Sequence, residues 1–273
     1  MVSEMKLEKR WAIENEIILE QSIKRRLLSI IYGIIFGEAI GKLSQNTTFD
    51  TTCFSEVHKK SADSVLDNFI NASIFNKSKA NNLDAHSLIK RIAPIVVAFG
   101  EDKKFEYIKN FLEKYLEKKN LDTCNMLGII IYVEIIFRLF HYDDYDRSMD
   151  ETAIACKEYL NDSLYTETLS RYNKIFNKNL NSSIKINTEE DVFPYCLSAS
   201  IICCRNNDSF EKTLYAISNF SSHAALIGAM TGAMAGIYYQ IGKMPENWVN
   251  QLGRKNDFHN LVEKFYNFSK KYK

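Results

Sequence analysis

The chain has 273 residues, with 35 basic against 34 acidic side chains, a formal net charge of +1. Such a balance argues against a nucleic-acid binder, whose phosphate contacts leave a basic excess. Hydrophobic residues at 46% and charged residues at 25% exclude disorder and collagen-like repetition. Ten glycines and three prolines lie well below the usual shares of about 7% and 5%, which points to helices.

Apolar periodicity predicts helices over 5–19, 24–43, 56–75, 84–99, 102–119, 121–141, 150–160, 163–178, 189–206, 209–219, 222–241, 246–253 and 257–271. The opening stretch, residues 1–24, is amphipathic and reads as an extra packing helix or as a docking element for a partner. Lys24, Arg25 and Arg26 precede the apolar run Leu27–Phe36 and read as snorkelling side chains rather than a membrane or phosphate contact. Asp143, Asp144 and Asp146 lack calcium-loop spacing and read as a solvated loop. Ser148 with Glu151, and Asp208 with Glu211, have capping-box spacing. Pro245 suits a first helical turn before Trp248. The only strand-like text is Ser183-Ile184-Lys185-Ile186. The expected architecture is all-α, one compact domain over 25–273 behind a helical extension over 1–24.

Cys53, Cys124, Cys156, Cys196, Cys203 and Cys204 form no CxxC pair and no metal-type spacing with histidine. The charged N-terminus has no signal-peptide core. Together they predict a reducing, cytoplasmic location.

Two segments stand apart. Gly33, Gly37 and Gly41 are four residues apart, as are Gly228, Gly232 and Gly236, so each set forms a bare stripe along one helix. Helical glycine costs about 1 kcal/mol against alanine, and close approach of a helix or a ligand has to offset it. Ala224–Gly242 is uncharged and 19 residues long, within the range of about 17–25 for a membrane span. Its Ala, Gly, Met and Thr content is only weakly apolar, so a buried central helix is expected, with no membrane partner.

These segments resemble the ADP-ribosylglycohydrolase family. GIIFGEAIG, from Gly33 to Gly41, is similar to that family's first motif, G-x-x-x-G-D-A-x-G. TFDTTCF, from Thr48, resembles its Thr-Asp-Asp-Thr motif, and RIAPIVVAFG, from Arg91, its Arg-x-x-Pro segment. Ser218–Trp248 resembles the last motif, Asn-x-Gly-Gly-Asp-Thr-Asp-Thr followed by a small-residue helix and Ile-Pro-x-x-Trp. Asn219, Gly228, Ala229, Gly232, Ala233, Ala235, Gly236, Pro245 and Trp248 fall in register. The resemblance implies a compact helical fold, hydrolysis of ADP-ribose linkages, and paired Mg²⁺ ions held by carboxylates and threonines of the second and last motifs.

The donor set departs from that pattern. Thr48, Asp50 and Thr51 are kept, but Phe49 replaces the first aspartate of the second motif. In the last motif His223 and Ala225 replace the two aspartates, Leu226 the final threonine, and Ser221-Ser222 the glycine pair. Imidazole suits zinc, copper or iron better than magnesium. Gln45 stands where some members have a catalytic glutamate, Glu38 where the first motif has aspartate, and His86-Ser87-Leu88-Ile89-Lys90 where they have Asn-Gly-x-x-Met.

The expectation is therefore a pseudoenzyme with no cofactor, Mg²⁺ entering only if the site is retained, and Thr48 and Asp50 as metal-site remnants. Gly37, Glu38, Thr48, Asp50, Thr51, Asn219, Ser221, Ser222 and His223 are the candidate ligand-binding residues. Its partner would be a protein, either an ADP-ribosylating toxin countered by an immunity protein or an ADP-ribosylated target, with ADP-ribose as the small-molecule candidate. The alternatives are a hydrolase with an atypical or single-metal site, with Glu38 and Asp50 as catalytic candidates helped by His223 or Glu56, and a structural oligomer. Tyr195, Tyr238, Tyr239 and Phe193 could line a ribose pocket, or simply fill the core.

Overall fold

A computed structural model describes residues 2–45, 57, 59–63, 85–100, 105–116, 121–159, 166–177, 192–220 and 222–271. Its helices are α1 Val2–Ser44, α2 Ala85–Phe99, α3 Phe105–Leu116, α4 Thr123–His141, α5 Tyr145–Tyr159, α6 Thr166–Tyr172, α7 Val192–Arg205, α8 Phe210–Tyr215, α9 Ala224–Tyr239, α10 Glu246–Gln251 and α11 Lys255–Lys270. A short helical stretch also covers 59–63. Among the described residues there is no strand, so the all-α expectation holds. The strand-like Ser183–Ile186 lies outside them.

The two glycine stripes face each other. Helices α1 and α9 run antiparallel in backbone contact: a methyl added at Gly37 would land on the carbonyl of Gly228 and within 3.0 Å of Gly232 Cα. At Gly33 it would meet the Gly232 carbonyl and come within 3.0 Å of Gly236 Cα. Close helix approach thus accounts for both stripes. Beyond them Ser29 Oγ accepts the Ile241 N–H at 2.9 Å, tying the end of α9 to α1. The pair is buried by α2, α7, α8 and α11.

Several boundaries differ from the sequence expectation. The helices predicted over 5–19 and 24–43 are one: no Gly or Pro separates them, and a Glu20–Lys24 ion pair at 2.6 Å spans the expected gap. Helix α5 begins at Tyr145, not near 150. Asp144 caps it, accepting the Arg147 N–H at 2.6 Å, while Ser148 sits a turn inside and donates to the Asp144 carbonyl at 2.8 Å. The cap of α8 is Ser209, accepting the Lys212 N–H at 3.3 Å; Asp208 instead pairs with the Lys212 ammonium at 2.8 Å. Pro245 does start α10, its carbonyl accepting the Trp248 N–H at 3.1 Å. Helix α9 stops at Tyr239 because Gln240 takes φ 58°.

Two members of the basic triad are structural. Lys24 reaches Glu263 on α11 at 2.5 Å, and Arg26 donates to the Phe140 carbonyl at 2.6 Å while lying over that ring. Residues Glu14–Ser44 and Thr123–His141 are long and apolar enough to cross a membrane, but 83% and 78% of those windows is buried against other helices. Of the uncharged stretch Ala224–Gly242, the 16 residues to Tyr239 form the α-helix α9, which is buried along most of its length. Cys156, Cys196, Cys203 and Cys204 are free thiols, buried as Cys124 is, and burial pushes Cys196 and Cys203 up to about 12. On α4 the buried Glu134 receives Arg138 Nε at 2.6 Å, its other oxygen has no hydrogen-bond partner among the described residues, and burial lifts its carboxyl to about 7.

Candidate functional site

The last turns of α1 carry the first motif, and Glu38 is its one charged group. It is only 1% exposed, so its carboxylate needs internal partners. One oxygen meets Lys42 Nζ at 2.7 Å, a turn further along α1; the other meets Lys90 Nζ, from α2, at 3.1 Å. Lys90 is itself 3% exposed. Lys42 also donates to Ser61 Oγ at 3.4 Å, which brings the 59–63 helical stretch onto the cluster. Both carboxylate oxygens are engaged by ammonium groups, so Glu38 acts as an anchor joining three segments. A lysine between Ile89 and Ile92 on a strongly apolar helix was the signal for this partner, and sequence reading passed over it.

The start of α9 lies against the same end of α1. A methyl on Gly41 would strike the Ala224 carbonyl and lie 2.8 Å from Ala225 Cα. Gly37 is inside the helix crossing, with its bare face covered by α9. Asn219 closes a 3₁₀ turn and is exposed, as are Ser222 and His223. His223 adopts φ 55°, ψ 25°, a left-handed conformation uncommon for a residue with a side chain. Its carbonyl accepts the Leu226 and Ile227 N–H groups at 2.9 and 3.0 Å, and its side chain makes no cap bond. The His223 imidazole therefore stands in solvent at a helix start.

Beneath lies an aromatic cluster. Phe36 packs on Trp248 and Phe210 with centroids 5.5 and 6.4 Å apart, and the exposed Tyr215 meets Trp248 at 5.9 Å. Tyr195 packs on Phe220 at 6.3 Å, and Phe193 is core. Tyr238 and Tyr239 sit at the far end of α9, about 23 Å from His223 at 1.5 Å per residue, with Tyr239 donating to the Asn207 carbonyl at 3.0 Å. Tyr238 and Tyr239 are in ring contact with centroids 5.0 Å apart, while Phe193 and Tyr195 lie on α7.

Thr48, Asp50, Thr51, Ser221 and Glu56 lie outside the described residues. In the described part of the last motif the positions of the family's donors hold an imidazole, the methyl of Ala225 and the buried isobutyl group of Leu226. Magnesium requires oxygen ligands in octahedral array, so these residues do not fit a Mg²⁺ site. Among the described residues no group of three or more His, Cys, Asp or Glu could hold a metal.

Residues 47–272 match the model of a protein family described as ADP-ribosylglycohydrolase. A solved structure described as an "ADP-ribosylglycohydrolase-related protein complex" superposes with a TM-score of 0.64 at 14% identity, covering 91% of this chain and 99% of that one. At that identity the likeness is one of fold. No curated protein matches the chain.

Proposed function

We propose that this chain, which belongs to the ADP-ribosylglycohydrolase family, acts by binding rather than by turnover. The observation that carries the reading is Glu38. The buried acid of the first motif is neutralised by Lys42 and Lys90, so the protein's own cations do the charge balancing inside the site. The replacement of last-motif donors by His223, Ala225 and Leu226 supports the same reading, because polarising a glycosidic centre through a hard cation needs oxygens those side chains lack. Its ligand would be ADP-ribose, free or carried on a modified protein, held where Asn219, Ser222 and His223 are exposed. Its biological role would be that of a cytoplasmic immunity-type protein countering an ADP-ribosylating toxin, or of a reader of the toxin's target. The free, buried thiols are consistent with that compartment.

Calorimetric titration of ADP-ribose into the protein, with Mg²⁺ and again with chelator, tests this. Binding indifferent to metal supports it; binding that requires Mg²⁺, with ADP-ribose released from a modified protein, overturns it. The second reading is an active hydrolase of atypical site, favoured by the solvent-exposed imidazole of His223. Asp50→Ala separates the two: equal, negligible release by wild type and variant removes the hydrolase.

A further inference from the structure

Residues 14–19 of α1 are exposed, before the helix enters the core. Ile17, Ile18 and Leu19 are 51%, 64% and 42% exposed, three of the five large apolar side chains exposed among the described residues. Ties to the body are made at Glu20, which meets Tyr266 Oη at 3.3 Å and Lys270 Nζ at 3.7 Å, and at Lys24. The helix ahead of Glu20, from Val2, runs on for about 27 Å at 1.5 Å per residue. A lone helix of that length is marginal in water.

Its own charges work against it. Of the four charged pairs spaced four residues apart ahead of Glu20–Lys24, three are like-signed, Glu4 with Glu8, Lys6 with Arg10, and Glu16 with Glu20, against one of opposite sign, Arg10 with Glu14. Like-signed pairs destabilise an isolated helix. The charges are also segregated. Residues 1–10 hold Lys6, Lys9 and Arg10 against Glu4 and Glu8, whereas residues 11–23 hold Glu14, Glu16 and Glu20 and no basic residue. A helix with a basic first half and an acidic second half complements itself only when reversed. Aligned antiparallel about Ile13, two copies set Arg10 opposite Glu16 and Lys6 opposite Glu20; a parallel alignment sets like against like. Lys6, Ile13, Ile17 and Glu20 fall on one stripe at helical spacing.

We propose that the first half of α1 pairs antiparallel with the same segment of a second copy of this chain, burying Ile17 and its apolar neighbours between complementary charges. The contact is two-fold symmetric, so each charge pair occurs twice. The inference is independent of what the family site binds.

The test is light scattering of the full chain after size exclusion, at tens of micromolar, where a dimer of modest affinity is populated. The expected mass is twice 31.6 kDa, falling towards that of one chain in high salt. Glu16→Lys, and separately Arg10→Glu, should each weaken the dimer about tenfold, since one substitution reverses two pairs. The double variant, with both charges exchanged, should recover wild-type affinity to within about threefold. Residue 16 is exposed, so helical circular dichroism should stay unchanged. A chain that is monomeric throughout, a dimer indifferent to the single substitutions, or single defects that the double fails to rescue would each overturn the proposal. So would a monomer that instead engages a different basic protein through this face.

Discussion

Gly37→Ala puts the central helix contact to a direct test. On an isolated helix the change should stabilise, by about 1 kcal/mol of propensity. Here the new methyl lands on the Gly228 carbonyl and within 3.0 Å of Gly232 Cα. Both obstacles are backbone, so no side chain can rotate away and the two helices have to separate. Overpacking of this kind costs typically about 1–3 kcal/mol, and backbone on backbone belongs at the upper end. Net of propensity, the loss should be about 2 kcal/mol, a large fraction of the 5–15 kcal/mol typical of a folded domain. For a chain of this size that corresponds to a fall in Tm of roughly 4–8 °C. Gly253→Ala is the control, because nothing lies within 4 Å of its added methyl; its Tm should move by less than about 1 °C. The assay is thermal unfolding by circular dichroism, with urea midpoints beside it. A Gly37→Ala protein as stable as wild type would refute the helix contact as the reason for the glycines.

Lys90→Met leaves Glu38 buried with Lys42 as its remaining ammonium, and should cost about 2–3 kcal/mol in urea unfolding, with Glu38→Gln added in the same chain restoring most of it; a silent Lys90→Met would mean that the ion pair does not anchor α2 to α1. Burial raises the Glu134 carboxyl from 4.5 to about 7, so the folded state binds this proton more tightly than the unfolded state. Stability from this group is therefore greatest below pH 4.5 and declines as pH climbs to about 7, by about 3 kcal/mol in all. Glu134→Gln should remove that decline from the urea midpoint measured against pH, and parallel profiles would disprove the assignment. Cys196, Cys203 and Cys204, buried and held as thiols, should resist iodoacetamide in the native protein and label fully in denaturant; site-resolved mass spectrometry reads this, and rapid native labelling would show that the α7–α9 contact opens readily.

Local patterns in the sequence carried the parts of the fold that depend on local physics. Glycines four apart announce a bare helical stripe wherever they occur, and both stripes are found in contact. The cap of α5 was misplaced because Ser148 and Glu151 satisfy a spacing that Asp144, four residues earlier, satisfies in space. The single long α1 was missed because an amphipathic pattern lost its phase near residue 20, where the helix leaves solvent and becomes buried all round. At the site, motif register identified Glu38 and His223, but Lys90 is 52 residues away along the chain and only folding brings it there. Exposure of His223 was equally invisible, since motif register does not show that the residue takes a left-handed conformation at a helix start.

The pairing of α1 with α9 also sets a schedule for synthesis. The residues that close on Gly33, Gly37 and Gly41 lie about 190 positions later, so the apolar second half of α1 is made long before its partner. At roughly 5–20 residues per second that interval is about 10–40 s. For that time Ile30, Ile31, Ile34 and Ile35 have no α9 to cover them, although all four are buried in the finished fold. The face of α1 that α9 covers leaves water only when that late, long-range contact forms, which makes folding slow and holdase chaperones relevant. Shortening the wait by a circular permutation that opens the chain before α9 and joins the old termini, so that α1 follows α9 through α10 and α11, should raise the refolding rate and the soluble yield together.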